Sequence, residues 1–489
     1  MAQGKQIIGH SLIYALGNIS RHLVSFIMLP VYTHYLTPAD YGVVGLLIFL
    51  VSLIEIMFGG HMFQAVPKYY FEERSEIRQK KVVSTALIAT FLFSGLSALA
   101  LTVFRDGASF ILFGSAEYSL YVAMFSVLIL THALENYAFT YIRILKKPWT
   151  FISLNLIKLG VQLSLNIITV VILELGLLGI AISAMASSIL IASFLTYYTL
   201  SKTGLSFNSA IFRKLFRFSW PLWVSGIAGL YIGSSNRFFI QLFSDLDAVG
   251  LFELAAKFGA VISMLIWFPF SQYWQTERFK IAQQPDCMPT FRNVFLFVST
   301  ILVCSAMGLS ILSKPVLEFM SDDSFHSAVK AIPYLAFAAV FQSLTYYNNF
   351  SFLLTENTGW VTRNTFLTAT VITLLYIVLI PSFSYVGAAQ AFMLGTIFEF
   401  SITFHFAKRF FDMHLPIFAF IIQLFISFYF IYLVSSDSNI LPLDALFYSI
   451  IGSSLNIFTI FIYSTPRSIV INIFFKGRGK LNSLLKSWH

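Results

Sequence analysis

Residues 42–66 read GVVGLLIFLVSLIEIMFGGHMFQAV, an almost wholly apolar run with a single carboxylate, Glu55. A hydrocarbon core about 30 Å thick needs roughly 20 apolar residues in a helix, and runs of this kind recur from Ser11 to Ile462. Of 489 residues, 57% are hydrophobic and 11% charged, whereas soluble domains are about half apolar and about a quarter charged. The main solvent of this chain is therefore a bilayer, and its expected fold class is an all-α polytopic membrane protein.

Spans read between polar breaks predict about 14 transmembrane helices, near 10–32, 42–66, 82–104, 118–140, 150–173 and 177–200, then 219–243, 250–272, 293–313, 331–354, 364–382 and 385–407, with a final pair near 417–435 and 445–464. The first run is as long as a full span and no small-residue cleavage site comes after it, so it reads as a retained helix. With a cytoplasmic amino terminus, 24 of the 31 Lys and Arg fall on inward segments. Cationic loops stay inside during insertion, which predicts that both termini are cytoplasmic. The net charge of +9 is spread over these loops and forms no groove for nucleic acid.

A register of 208 residues carries Tyr41-Gly42-Val43 onto Val249-Gly250-Leu251, and Leu178-Gly179-Ile180-Ala181 onto Val386-Gly387-Ala388-Ala389. Trp149 and Trp360 match at 211. Independent use of glycine at outer turns is the alternative to a duplication. Weak internal symmetry is common in transporters and places a site at the repeat interface. The expected organisation is an N-lobe at 1–200, a cytoplasmic amphipathic linker at 201–218, a C-lobe at 219–408, helices 13 and 14 within 409–464, and a basic tail at 465–489. The linker, with Arg213, Lys214 and Arg217 beside Ile211, Phe212, Leu215 and Phe216, suits a helix lying on anionic lipid or a solvated basic loop.

Polar residues form stripes within the spans. Helix 1 carries Ser11, Tyr14, Asn18, Arg21 and Ser25 on one face; helix 5 carries Asn155, Lys158, Gln162, Asn166 and Thr169; helix 7 offers Ser234, Arg237 and Gln241. A cation at mid-span facing lipid costs at least ~2.5–3.5 kcal/mol, so such residues face a cavity or a partner. The expected substrate-binding set is Arg21, Lys158, Arg237, Asn18 and Gln162, with tethering inside the bundle, or snorkelling for Arg237, as the alternative. Glu55 and Glu399 lie deep in helices 2 and 12, where each is a candidate for ion coupling or a counter-charge, Glu55 to Arg21 in particular. Glu135 and His132, nearer the end of helix 4, read as solvated. Excess positive charge in such an interior favours an anionic cargo such as a phosphate, a pyrophosphate or an acidic sugar.

Cys287 and Cys304 have no metal-ligand or disulfide spacing, and Walker, H-E-x-x-H and nucleophile-elbow motifs are absent. Asp322 and Asp323 read as loop or helix-start residues. The expectation is a transporter rather than an enzyme, without cofactor or metal, coupled to a proton or sodium gradient if coupled at all.

The block Phe26-Ile27-Met28-Leu29-Pro30-Val31-Tyr32-Thr33-His34-Tyr35-Leu36-Thr37-Pro38-Ala39-Asp40-Tyr41-Gly42 resembles the Pro-containing first helix and the L-[ST]-P-x-[DE]-[YF]-G turn of Wzx-type polysaccharide flippases. That family belongs to the superfamily that also holds multidrug (MATE) exporters and lipid II flippases. Asn236-Arg237-Phe238 and Val249-Gly250-Leu251-Phe252 are similar to further segments of the family. The resemblance covers nearly the whole chain. It implies an alternating-access architecture of two six-helix lobes plus a final helix pair. It also implies a bacterial inner-membrane flippase for undecaprenyl-pyrophosphate-linked oligosaccharide units, feeding O-antigen-type surface polysaccharide synthesis. Membrane lipids and the polysaccharide polymerase and chain-length machinery would be its partners. Helix 1 holds Arg21 and lacks the acidic residue common in drug exporters, a departure that lowers the ion-coupled exporter reading. A lipid II flippase is the other alternative.

Overall fold

The structure is a computed structural model that describes Phe26 and residues 28–58, 62–436 and 441–464. Asn18 and Arg21, with the first expected helix up to residue 25, lie outside the described residues, as do His61 and the tail from 465.

Among the described residues every regular element is helical. In chain order they are α1 (Leu29–Tyr35), α2 (Pro38–Phe58), α3 (Val66–Glu72), α4 (Glu76–Val103), α5 (Arg105–Phe113), α6 (Ser119–Ile144), α7 (Pro148–Asn166), α8 (Gly176–Thr203), α9 (Ser209–Ser234), α10 (Asn236–Phe243), α11 (Leu246–Ile262), α12 (Phe268–Ala282), α13 (Met288–Met320), α14 (Ile332–Asn348), α15 (Phe350–Leu354), α16 (Gly359–Ala407), α17 (Ile417–Ser436) and α18 (Pro442–Tyr463). Prolines open α7 and α18, where a missing N–H costs nothing. The break between α9 and α10 falls at Gly233-Ser234-Ser235, residues of weak helix propensity that commonly mark kinks. The expected linker is not separate from the helix after it, because α9 runs from Ser209 through residue 218 to Ser234, with Leu215 buried.

Ten helices among the described residues are long and apolar enough to cross a membrane, and an eleventh is the bent pair Asp323–Lys330 and Ile332–Leu354. This is fewer than the 14 expected, for physical reasons. The first expected helix is described only at its end, where α1 is short. The α9–α10 pair is not among the ten. And α16 has 49 residues, about 70 Å of helix at 1.5 Å per residue, more than twice the hydrocarbon thickness. It is two helices merged at Ser384 (φ 50°, ψ −135°). A Cβ on Gly387 would lie 2.2 Å from the Leu379 carbonyl oxygen, so the chain folds back there.

The 208-residue register reappears in this geometry. Thr37 and Asp245, related by that offset, both cap helices. The Thr37 Oγ1 accepts from the Asp40 N–H at 3.2 Å while Asp40 Oδ2 accepts from the Thr37 N–H at 3.1 Å, a capping box with Asp in the third helical position. Asp245 Oδ1 accepts from the Ala248 N–H at 2.7 Å. Gly176 and Ser384, again 208 apart, both have positive φ, 53° and 50°. Ser384, with ψ −135°, lies outside the left-handed helical well in sparsely populated backbone that costs about 1–3 kcal/mol, and its hydroxyl is 2.7 Å from that of Ser244. Gly179 and Gly387 then each pass close to a preceding carbonyl, of Thr169 and of Leu379.

The chain forms two compact units. The first holds the described residues up to Leu254, with Met320–Ser327 and Ala369–Ala388. Its core joins Val82, Val83, Ala86, Leu134, Tyr137 and Leu215. The second holds Ala255–Phe319, Ala328–Thr368 and the described residues from Ala389 onward. Aromatic rings fill it: Trp274 stacks on Tyr347 at 5.4 Å, and the Tyr347 hydroxyl donates to the Phe291 carbonyl at 2.8 Å. Gln423, fully buried, donates to Thr300 and Thr459 at 2.7 Å each, tying α17 to α13 and α18 where water cannot satisfy an amide.

Candidate functional site

In the first unit, three spans bring together Glu55 of α2, Glu135 and Asn136 of α6, and Lys158 of α7. Lys158 Nζ donates to Glu135 Oε2. Asn136 Nδ2 donates to Glu55 Oε1 at 3.3 Å. The charges of Glu135 and Lys158 both act on Glu55. Side-chain exposure of the ion pair is 14% for Lys158 and 5% for Glu135. Desolvation of two such charges is costly, and removing either partner from a buried pair costs about 3–5 kcal/mol because the other is left uncompensated. Glu135, read from sequence as solvated, is instead the buried counter-charge of Lys158.

The rest of the α7 stripe divides by depth. Asn155 is buried and donates to the Phe151 carbonyl at 2.8 Å. Asn166 Nδ2 donates to the Tyr32 hydroxyl at 2.6 Å and Asn166 Oδ1 accepts from Ser183. Thr169 donates to the Gly179 carbonyl at 2.8 Å. Asn166 and Thr169 tether neighbouring helices and Asn155 bonds within its own, while Gln162, half-buried, shares the helix face with Lys158.

Arg237, at the start of α10, is also paired. Its Nη2 donates to Glu253 Oε2 at 3.2 Å, its Nε faces Oε1, and its Nη1 donates to the Gly233 carbonyl at 3.3 Å. Both side chains are less than a fifth exposed, so Arg237 does not snorkel to water. Glu253 reaches this position by crossing Gly45, where a Cβ would lie 2.6 Å from its Cγ. Gly45 and Glu253 are themselves 208 apart. Glu253 is absent from the sequence expectations because its partner Arg237 lies on a different helix. A lone carboxylate opposite a glycine in the repeat register was the available signal.

Glu399 lies in the second unit, half-buried and near Tyr346. Among the described residues it forms no ion pair. No group of three His, Cys, Asp or Glu among the described residues could hold a metal ion. Asp322 belongs to its loop: it accepts from the Ser324 N–H at 3.1 Å and hydroxyl at 3.0 Å, and these bonds hold its carboxyl below the usual carboxylate range.

The family model described as polysaccharide biosynthesis protein matches residues 9–274. No curated protein matches the chain. Among solved structures, the lipid II flippase MurJ in its inward closed conformation aligns with a TM-score of 0.74 at 14% identity, over 92% of this chain and 98% of that one. An inward-facing multidrug resistance MATE family transporter of the MOP superfamily gives 0.61 at 13% identity, over 79% and 94%. A Vibrio cholerae MATE transporter gives 0.57 at 12%, over 83% and 96%. At these identities the likeness is one of fold. Because the family model spans more than half of its length, the chain belongs to the polysaccharide biosynthesis protein family, on the fold shared by MurJ and the MATE transporters.

Proposed function

We propose that this protein is a flippase that carries undecaprenyl-pyrophosphate-linked oligosaccharide units from the cytoplasmic to the periplasmic leaflet of a bacterial inner membrane, without changing them covalently. In this reading both termini are cytoplasmic, and residues 1–200 and 219–408 are lobes that alternate access as a secondary-type transporter. The observation that carries it is the Glu55, Asn136, Glu135 and Lys158 cluster inside three spans, on a chain of the polysaccharide biosynthesis protein family. Ionisable groups at such depth mark a substrate or ion path.

Lys158 and Arg237 each carry a carboxylate partner, so neither is an empty anion site. A pyrophosphate brings more negative charge than one carboxylate and competes for the same cation, with the guanidinium of Arg237 offering the bidentate geometry. Arg21, Asn18 and Gln162 complete the head-group set, and the released units pass to the polymerase and chain-length machinery. An ion-coupled small-molecule exporter or a lipid II flippase would move other cargo, and reconstitution with a labelled lipid-linked oligosaccharide separates the three.

A further inference from the structure

A second site lies where α6 ends and turns into α7. A cavity of about 600 Å³ opens there, lined by Phe63, Gln64, Pro67 and Phe71 on one side and Thr140, Arg143, Ile144 and Lys146 on the other. Its volume falls within the range of small-ligand sites. We propose that it binds the phosphate head group of an anionic membrane lipid. This inference does not rest on the transport reading.

The lining carries two cations and no carboxylate. Arg143 is held in place: its Nη2 donates to Thr140 Oγ1 at 2.8 Å, and the buried Thr140 hydroxyl donates to the Asn136 carbonyl at 2.8 Å. The turn after α6 puts Lys146 at φ 52°, with its N–H donating to the Arg143 carbonyl at 3.0 Å. Arg143 and Lys146 thus line one opening, and a guanidinium beside an ammonium suits a phosphate oxyanion. The other wall is apolar. Phe71 on α3 is 63% exposed beside Phe63 and Pro67, surface that an inorganic ion leaves bare and an acyl chain covers. Ile144 ends a span, which is the depth at which lipid head groups sit and at which basic residues attract anionic lipids.

The test is native mass spectrometry of the detergent-purified full-length protein offered equal phosphatidylglycerol and phosphatidylcholine. The wild type should retain phosphatidylglycerol on the order of tenfold better, since two cations act on the head group. The variant Arg143→Gln with Lys146→Gln should bring the two lipids to parity, and Arg143→Lys with Lys146→Arg should keep most of the preference. A monodisperse double Gln variant with the wild-type preference overturns the proposal. So does displacement of the lipid by millimolar inorganic phosphate, which would make free phosphate the ligand. If the double Gln variant fails to fold, a salt series on the wild type decides: the preference should shrink as salt rises, and a preference indifferent to salt overturns the site.

Discussion

Gly42 and Gly250 pack against each other's helix start: a Cβ on Gly42 would lie 2.1 Å from the Leu246 carbonyl oxygen, and one on Gly250 would lie 1.9 Å from that of Pro38. The contact is reciprocal under the 208-residue register, which relates Pro38 to Leu246 as it relates Gly42 to Gly250. Such self-complementary pairing is the mark of a two-fold relation. Neither glycine has positive φ, so space and not backbone freedom requires it. Gly42→Ala and Gly250→Ala should each destabilise the protein by about 1–3 kcal/mol through overpacking. The double variant should cost less than the sum, since one separation relieves both clashes. Thermal unfolding in detergent measures this, and unchanged melting temperatures in both single variants would count against the contact.

The Lys158 and Glu135 pair predicts a double-mutant signature. Lys158→Met or Glu135→Gln alone should lower stability by about 3–5 kcal/mol, whereas the two together should recover much of the loss. Additive losses would show that the side chains do not compensate each other.

Gly45 makes room for the carboxylate that holds Arg237. Gly45→Val should push Glu253 off the guanidinium, so it and Glu253→Gln should reduce transport to a similar degree, and combining them should add little. A fully active Gly45→Val protein would contradict the crossing.

Coupling is expected to pass through Glu399 and Glu55, which form no ion pair among the described residues. Glu399→Gln should abolish stimulation of flipping by an imposed proton gradient while leaving cargo binding in place. Glu55→Gln should do so only partly, because Asn136 still bonds the amide. Wild-type gradient dependence in the Glu399→Gln protein would remove it from the path.

Much of the fold was legible because a bilayer tolerates few ways to spell a span. Apolar runs and the glycines at turns are local chemistry, and the match of those glycines at 208 is visible in the sequence. The partners of the cations were not legible. Glu135 stands 23 residues from Lys158 and meets it only because α6 and α7 pack side by side, and Glu253 finds Arg237 across a glycine 208 residues away in register. Spacing along one helix cannot report contacts between helices, so the carboxylate partners of Lys158 and Arg237 could not be named from the sequence. The span count suffered likewise, since a tight reversal at Ser384 leaves two helices continuous in hydrogen bonding.

Flipping in proteoliposomes decides whether the protein is the proposed flippase. Purified protein should move a fluorescent undecaprenyl-pyrophosphate-linked oligosaccharide between leaflets, and the variant carrying Arg21→Gln, Lys158→Gln and Arg237→Gln should lose at least about tenfold in rate, equivalent to ~1.4 kcal/mol of barrier. No movement of any such lipid by the wild-type protein would contradict the proposed function.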